Sequence, residues 1–155
     1  MPELPEVEGL VRELAPAAIG RTIRTVTVSD IVIESKAQGK EAILKGMSIE
    51  RFVKEMVGMT ITDVTRRSKY IYFDVVKEDS AYLLVSHLGM SGAWFAVRSI
   101  DEVTELKFRK HIHVILEMED GGLLVYSDIR RFGELRLLDK EEDSQHVLRM
   151  APEPF

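Results

Sequence analysis

The clearest structural signal in this chain is His111-Ile112-His113-Val114-Ile115-Leu116-Glu117-Met118-Glu119-Asp120-Gly121-Gly122-Leu123-Leu124-Val125-Tyr126-Ser127. Apolar residues stand at every second position from 112 to 118, which is the spacing of a strand with one buried face. Asp120, Gly121 and Gly122 tolerate the positive φ angles of a tight hairpin turn. We therefore predict two antiparallel strands, at residues 111–119 and 123–127.

The strand pattern extends on both sides of this hairpin. Runs rich in β-branched and aromatic residues predict further strands at 59–67, 69–76, 81–87, 93–97 and 134–138. So many short strands favour a β-sandwich or a barrel. Residues 22–33 are also β-branched and predict one or two strands, whereas the polar segment 35–46 predicts a loop.

Helices are predicted at three places. Apolar residues at positions 7, 10, 11 and 14 have helical spacing, so a first helix is expected over about 5–19. Ser48 is a suitable N-cap for a short helix that ends near Gly58. A third helix is predicted at 142–150, and the prolines that follow it predict a linker at 151–155.

Composition limits the class of protein. A chain of 155 residues is one domain by size. It contains no cysteine, which excludes disulfides and sulfur-ligated zinc and favours a cytoplasmic protein. No segment is typical of a secretion signal or a membrane span.

Charge gives a weaker indication. The net charge of −5 argues against bulk electrostatic coating of nucleic acid. Basic residues nevertheless cluster at 66–69, 107–111 and 130–131, where they could form a phosphate-facing strip. Ordinary solvated faces are the alternative interpretation.

The N-terminus carries a candidate nucleophile. Removal of Met1 would leave Pro2 with a free secondary amine beside the Glu3 carboxylate. An α-amino group has a pKa of roughly 8, so a useful fraction is unprotonated near neutral pH. Attack of this amine on an aldehyde carbon would give an iminium ion. The alternative is that Pro2 only stiffens the entry to the first helix.

Further candidates lie near predicted strand ends. Lys69 is expected to open a strand and to place its ammonium at the rim of an apolar face, where it could bind a phosphate or move a proton. A lysine that merely extends to solvent is the alternative. His87 and His111 could each donate to a phosphate, although an isolated strand histidine is more often structural.

Two glycine-bounded loops share one design. The loop His87-Leu88-Gly89-Met90-Ser91-Gly92 presents Met90, and Asp128-Ile129-Arg130-Arg131-Phe132-Gly133 presents Arg130, Arg131 and Phe132. An exposed apolar tip can wedge into a base stack, and arginine can contact phosphates or base edges. Both loops favour nucleic-acid binding, with a core methionine as the alternative. No histidine or carboxylate spacing indicates a metal site.

Five segments together resemble the formamidopyrimidine-DNA glycosylase family. They are Pro2-Glu3-Leu4-Pro5-Glu6-Val7-Glu8, Arg66-Arg67-Ser68-Lys69-Tyr70, the loop that begins at His87, Lys110-His111-Ile112-His113-Val114, and the loop that begins at Asp128. Residues 151–155 also resemble the linker that ends this family's N-terminal domain, which would then span 1–150. The resemblance implies an α+β, mainly β fold: a two-layered β-sandwich flanked by an N-terminal helix and short helices.

The resemblance also implies an activity. The family removes oxidised purines, such as 8-oxoguanine and formamidopyrimidines, from double-stranded DNA and cleaves abasic sites by β,δ-elimination. Pro2 would attack the sugar C1′, Glu3 would donate or shuttle a proton, and Lys69 would assist the eliminations.

The DNA contacts are implied in the same way. Met90 and Phe132 would fill the void left by the flipped nucleotide, and Arg130 would contact the orphaned cytosine. The DNA backbone would be held by His87, His111 and Arg131.

The resemblance also concerns family features that lie outside the N-terminal domain. The family's helix-two-turn-helix domain and four-cysteine zinc finger are expected to be missing, so no cofactor is expected in this chain and weak activity is expected from it alone. We expect a monomer, in the cytoplasm and associated with the nucleoid. The alternatives are a non-catalytic module that binds damaged DNA and, ranked lower, a tautomerase that uses Pro2 as a base.

Overall fold

The computed structural model describes the backbone of residues 4–139 and the side chains of residues 8–139. The predicted helix at 142–150, the predicted linker at 151–155, and Pro2 and Glu3 lie outside the described residues.

Helices and strands alternate irregularly along the described chain. The α-helices are α1 (Leu4–Ala18), α2 (Asp30–Ala37), α3 (Ile49–Met56) and α4 (Leu106–Arg109), and Ile100–Glu102 forms a 3-10 turn. The strands are β1 (Ile23–Val28), β2 (Ile43–Leu44), β3 (Thr60–Arg67), β4 (Tyr70–Lys77), β5 (Ser80–His87), β6 (Gly92–Val97), β7 (Ile112–Met118), β8 (Leu123–Asp128) and β9 (Glu134–Asp139).

The strands form two sheets. One has the order β1-β7-β8-β6, and the other has the order β2-β9-β5-β4-β3. All pairs are antiparallel except β2 with β9. Hydrogen bonds between Arg21 and Ile61 and between Ile23 and Met59 join the two sheets along one edge. The expected two-layered β-sandwich is confirmed.

Aromatic side chains from both sheets fill the space between them. The rings of Phe73 and Trp94 lie 5.1 Å apart, and those of Trp94 and Tyr126 lie 5.3 Å apart. The Trp94 indole N–H donates to Ser86 Oγ at 2.9 Å, so the polar atom of this buried ring is satisfied. Buried rings of this size contribute much of the apolar area that stabilises a small domain.

Two helices cover the sandwich with amphipathic faces. Helix α1 packs on β3 and β6 and buries Leu14 and Ala18. Helix α3 packs on β1 and buries Phe52 and Met56. Ser48 Oγ accepts a hydrogen bond from Arg51 N at 3.1 Å, which confirms the predicted N-cap. None of the helices in the described part of the chain has the length and apolar character that crossing a membrane requires.

One region was predicted wrongly. Helix α2 replaces the end of the strand predicted at 22–33 and the start of the loop predicted at 35–46, and the rest of that predicted loop contains the short strand β2. Ser29 explains the helix: its Oγ accepts from Val32 N at 3.3 Å, and Asp30 lies in the first turn. This local capping outweighs the modest cost of β-branched residues in a helix.

Candidate functional site

One end of the sandwich brings together the turn between β3 and β4 and two longer loops. Tyr70 at the start of β4 pairs with His87 at the end of β5, which also pairs with Glu134 at the start of β9. In the other sheet, Gly92 at the start of β6 pairs with Asp128 at the end of β8. The β5–β6 loop (residues 88–91) and the β8–β9 loop (residues 129–133) therefore lie at the same end.

The start of α1 also lies at this end. Arg66 Nη2 is 3.8 Å from the Glu8 carboxylate, and Arg66 is one residue from the end of β3. Pro2 and Glu3 directly precede α1 in the sequence. The helix that they precede begins at the same end of the sandwich as the two loops.

Lys69 lies in the turn between β3 and β4, not at the start of a strand as predicted. The turn has only two residues, and Ser68 adopts a positive φ of 55° there. This backbone geometry excludes Lys69 from strand pairing. The residues predicted to form the apolar face beyond it, Ile71, Phe73 and Val75, are buried in the core.

His87 lies beside the Tyr70 ring, and the charge of Lys69 acts on it. The His87 and Tyr70 rings are 4.7 Å apart. Burial lowers the pKa of His87, and the positive charge of Lys69 lowers it further, whereas Glu134 raises it. Since an unperturbed histidine titrates near pH 6.5, His87 is neutral at neutral pH and can offer one hydrogen-bond donor without a charge.

The tips of the two loops meet in one exposed cluster. Met90 is 44% exposed and Phe132 is 59% exposed. Arg130 lies between them: its Nη1 is 3.8 Å from Met90 Sδ, and its guanidinium carbon is 5.3 Å from the Phe132 ring centroid. The structure thus places these three residues together, as the loop-tip cluster.

Glycines allow the loops to come this close. Gly89 has a φ of +60°, and a Cβ there would lie 2.8 Å from Gly133 N and 2.9 Å from the carbonyl carbon of Phe132. A larger residue would force the β5–β6 loop away from the β8–β9 loop.

Sequence analysis missed the role of Asp128, which is fully buried beneath the loops. Its Oδ1 accepts from Ser91 Oγ at 2.7 Å and from Arg131 N at 2.9 Å. Its Oδ2 accepts from Gly133 N at 2.8 Å and from the Tyr126 hydroxyl at 2.9 Å. Four donors fill the acceptor sites of one carboxylate. The sequence shows an aspartate at a strand end but not its burial.

Two histidines flank this network: His111 directly precedes β7, and His113 lies in it. His111 is partly buried, its carbonyl accepts from Asp128 N at 3.0 Å, and its Nδ1 has no hydrogen-bond partner among the described residues. His113 is fully buried, with Nε2 3.1 Å from the Asp128 carbonyl oxygen and Nδ1 2.8 Å from Ser29 Oγ. A bulge between Ile112 and Val114 breaks the predicted alternation and turns His113 inward.

Arg131 is exposed and adopts a positive φ of 58°. A non-glycine residue in this conformation costs free energy and often marks a functional loop. Here the hydrogen bond that Arg131 N donates to Asp128 Oδ1 holds the conformation. Within the described residues, no group of three or more His, Asp and Glu side chains is arranged to hold a metal ion.

Comparison with known proteins gives a consistent result. The sequence model of the formamidopyrimidine-DNA glycosylase N-terminal domain matches residues 1–135. A formamidopyrimidine-DNA glycosylase of Exiguobacterium is 40% identical over 157 aligned positions, which cover 100% of this chain and 50% of the relative. The Bacillus subtilis enzyme of the same name is 33% identical over 99% of this chain and 50% of its own length.

Solved structures of one relative have the same fold. The Lactococcus lactis formamidopyrimidine-DNA glycosylase bound non-covalently to DNA with an abasic site aligns with a TM-score of 0.70 and 29% identity, over 96% of this chain and 49% of its own. Its complex with DNA containing a formamidopyrimidine lesion gives the same TM-score and identity, over 95% and 48%. This chain thus spans about half the length of the relatives it matches.

The two-layered sandwich with paired loops at one end is a mainly β domain with the fold of the DNA glycosylases compared above. More narrowly, the chain belongs to the formamidopyrimidine-DNA glycosylase family and corresponds to its N-terminal domain.

Proposed function

We propose that this chain is the catalytic domain of a base excision repair enzyme that removes oxidised purines from double-stranded DNA and cleaves the resulting abasic site. The observation that carries the proposal is the loop-tip cluster, because its two exposed apolar side chains flank a guanidinium at the end of the sandwich where Lys69 and the start of α1 also lie. Relatives solved with abasic and formamidopyrimidine-containing DNA support it.

The cluster has the chemistry needed to replace a flipped nucleotide. Enzymes that react at a base in a duplex extrude it and lose its stacking energy. Met90 and Phe132 fill that gap, and Arg130 between them offers donors to the orphaned base, with cytosine as the proposed partner. His87, His111 and Arg131 contact the DNA backbone.

The chemical step belongs to Pro2, Glu3 and Lys69. The Pro2 nitrogen forms a bond to C1′ as the bond from C1′ to the base breaks, and Glu3 supplies or relays the proton for the departing base and the opening sugar. The iminium ion that results acidifies the C2′ proton. Loss of this proton expels the 3′ phosphate, and a second elimination expels the 5′ phosphate, both assisted by Lys69.

The domain is proposed to span residues 1–150, with a linker at 151–155. The family's further DNA-binding surface and its structural zinc would be supplied by a C-terminal half, since this chain has no cysteine and offers no four-cysteine site. We propose an intracellular, nucleoid-associated, monomeric protein. We propose weak activity for this chain alone, because its net charge of −5 does not favour binding to DNA phosphates.

An incision assay tests this function. The chain with Met1 removed is incubated with duplex DNA that carries 8-oxoguanine opposite cytosine, with and without the C-terminal half of the Exiguobacterium relative. We expect weak incision alone, stronger incision with the added half, and products with phosphate on both sides of the gap. The Pro2→Gly variant should lose this activity. Restored DNA binding without incision would instead favour a module that only binds damaged DNA.

A further inference from the structure

We propose that Asp128 is a positioning residue that joins the β5–β6 and β8–β9 loops through Ser91, so that Met90 and Phe132 enter DNA as one unit. The inference rests on the proposed function for its DNA-bound consequence. The link itself is a property of the free domain.

The hydrogen bonds run continuously between the loops. Arg130 N donates to Ser91 Oγ at 3.0 Å, and Ser91 Oγ donates to Asp128 Oδ1 at 2.7 Å. The same Oδ1 accepts from Arg131 N at 2.9 Å. One hydroxyl group of the β5–β6 loop is therefore bound on both sides by the segment that carries Arg130 and Phe132.

The base of this network is bonded to the backbone and core of the sandwich. Asp128 N donates to the His111 carbonyl at 3.0 Å, and the Asp128 carbonyl oxygen is 3.1 Å from His113 Nε2. The Tyr126 hydroxyl, which donates to Oδ2, belongs to a buried ring of the core. The carboxylate is thus fixed to the sandwich while its oxygens hold the loops.

The Asp128 side chain acts as an acceptor in every hydrogen bond that it makes here. All four partners of the side chain donate hydrogen bonds. In Asp128→Asn, an amide N–H₂ of nearly the same shape would face two of these donors, leaving polar groups unsatisfied in a buried site. Ser91→Ala removes the link between loops but leaves Asp128 with its other three donors.

The first test needs no DNA. Amide hydrogen exchange of Arg131 and Gly133 is measured by NMR in the wild-type chain, in Ser91→Ala and in Ser127→Ala. Neither of these two amides donates to Ser91. Ser91→Ala can therefore lower their protection from exchange only if the loops are joined. We expect acceleration of about tenfold or more in Ser91→Ala. Ser127→Ala is the matched control, because Ser127 Oγ also makes a 2.7 Å bond, but to the Phe108 carbonyl.

The second test uses an abasic duplex and a double-mutant cycle between Met90→Ala and Phe132→Ala. In the wild-type and Ser127→Ala backgrounds the two losses in affinity should be coupled by about threefold or more, and in Ser91→Ala they should multiply independently. Ser91→Thr, which retains the hydroxyl, should restore the coupling. A merely structural role of Ser91 would lower affinity without changing the coupling.

The outcomes separate the two proposals. Unchanged exchange at Arg131 and Gly133 in Ser91→Ala, or coupling that persists in that background, overturns the joined-loop inference. Failure of the wild-type chain to bind abasic DNA, even with the C-terminal half of a relative, contradicts the proposed function, and the exchange experiment then decides the inference alone.

Discussion

Gly133 packs directly against Tyr126, so that a Cβ atom at Gly133 would overlap the Tyr126 hydroxyl oxygen and lie 2.8 Å from both the His87 carbonyl oxygen and Asp128 Oδ2. Two of these neighbours belong to the buried hydrogen-bond network, and the third is backbone. None can withdraw without breaking a contact that shapes the loops.

We therefore predict that Gly133→Ala lowers the free energy of unfolding by about 1–3 kcal/mol, as overpacking does in other buried sites. Urea denaturation monitored by Trp94 fluorescence measures the change. A stability equal to that of the wild-type chain would show that the loop has more room than the structure gives it.

Gly9 provides the matched glycine. Gly9 lies in α1 and is exposed to solvent, and a Cβ atom there would meet nothing within 4 Å. Gly9→Ala should raise the free energy of unfolding by about 0.5–1 kcal/mol, because alanine restricts the unfolded chain and favours the helix. The same urea titration tests this, and a loss of stability would contradict the open surroundings of Gly9.

Phe132 should contribute to binding rather than to folding. Its ring is exposed, so Phe132→Ala should leave stability within about 0.5 kcal/mol of the wild type. Stacking of one base on an aromatic ring is worth about 1–3 kcal/mol, which predicts a loss of about tenfold in affinity for abasic duplex DNA. Fluorescence anisotropy measures the affinity for an abasic duplex and for an intact duplex.

Ile19→Ala is the control for Phe132→Ala. Ile19 is also an exposed apolar residue, but it follows the C-terminal end of α1, away from the loops. Its substitution should not change affinity. An equal loss in both variants would mean that exposed apolar area, not the loop-tip cluster, determines binding.

Stability should fall as the pH drops below about 6.5. Burial lowers the pKa of His113, while the hydrogen bond to the Asp128 carbonyl raises it in part. In the unfolded chain this histidine titrates near 6.5. Between that pH and the lower folded pKa, the unfolded chain therefore binds a proton that the folded chain does not. The stabilisation is fully present above 6.5, and it is lost as the pH falls towards the lower folded pKa.

Urea denaturation at several values between pH 7.5 and 5.5 tests this. His113→Gln should be less stable throughout but should show a flatter dependence on pH, because it removes the titrating ring. His87→Gln should flatten it less, since His87 is only partly buried. A slope in His113→Gln as steep as in the wild type would contradict the assignment.

Much of this fold follows from sequence patterns. Strands such as β4 and β8 pair β-branched and aromatic residues with clear turns, so their positions were predicted within one or two residues. Helix α2 was missed because Ser29 caps a β-branched segment, and the cap outweighs the strand propensity of Ile31 and Ile33. A bulge, as at His113, depends on strand pairing and leaves no local signal.

The candidate site divides in the same way. Exposed tips between glycines, such as Met90 and Phe132, are visible as motifs. The hydrogen bond from Ser91 to Asp128 joins residues 37 apart in sequence, so only the three-dimensional structure shows it. The site roles of Pro2, Glu3 and Lys69 stay predictions until they are tested by experiment.

The most direct test of the central claim is covalent trapping at Pro2. The chain with Met1 removed, confirmed by its intact mass, is incubated with a DNA duplex that carries an abasic site opposite cytosine. Borohydride is then added, and a denaturing gel resolves the products. The account predicts a protein–DNA adduct that is lost in Pro2→Gly and increased by the C-terminal half of a relative. Absence of an adduct when that half has restored DNA binding, or an equal adduct in Pro2→Gly, would contradict iminium chemistry at this residue.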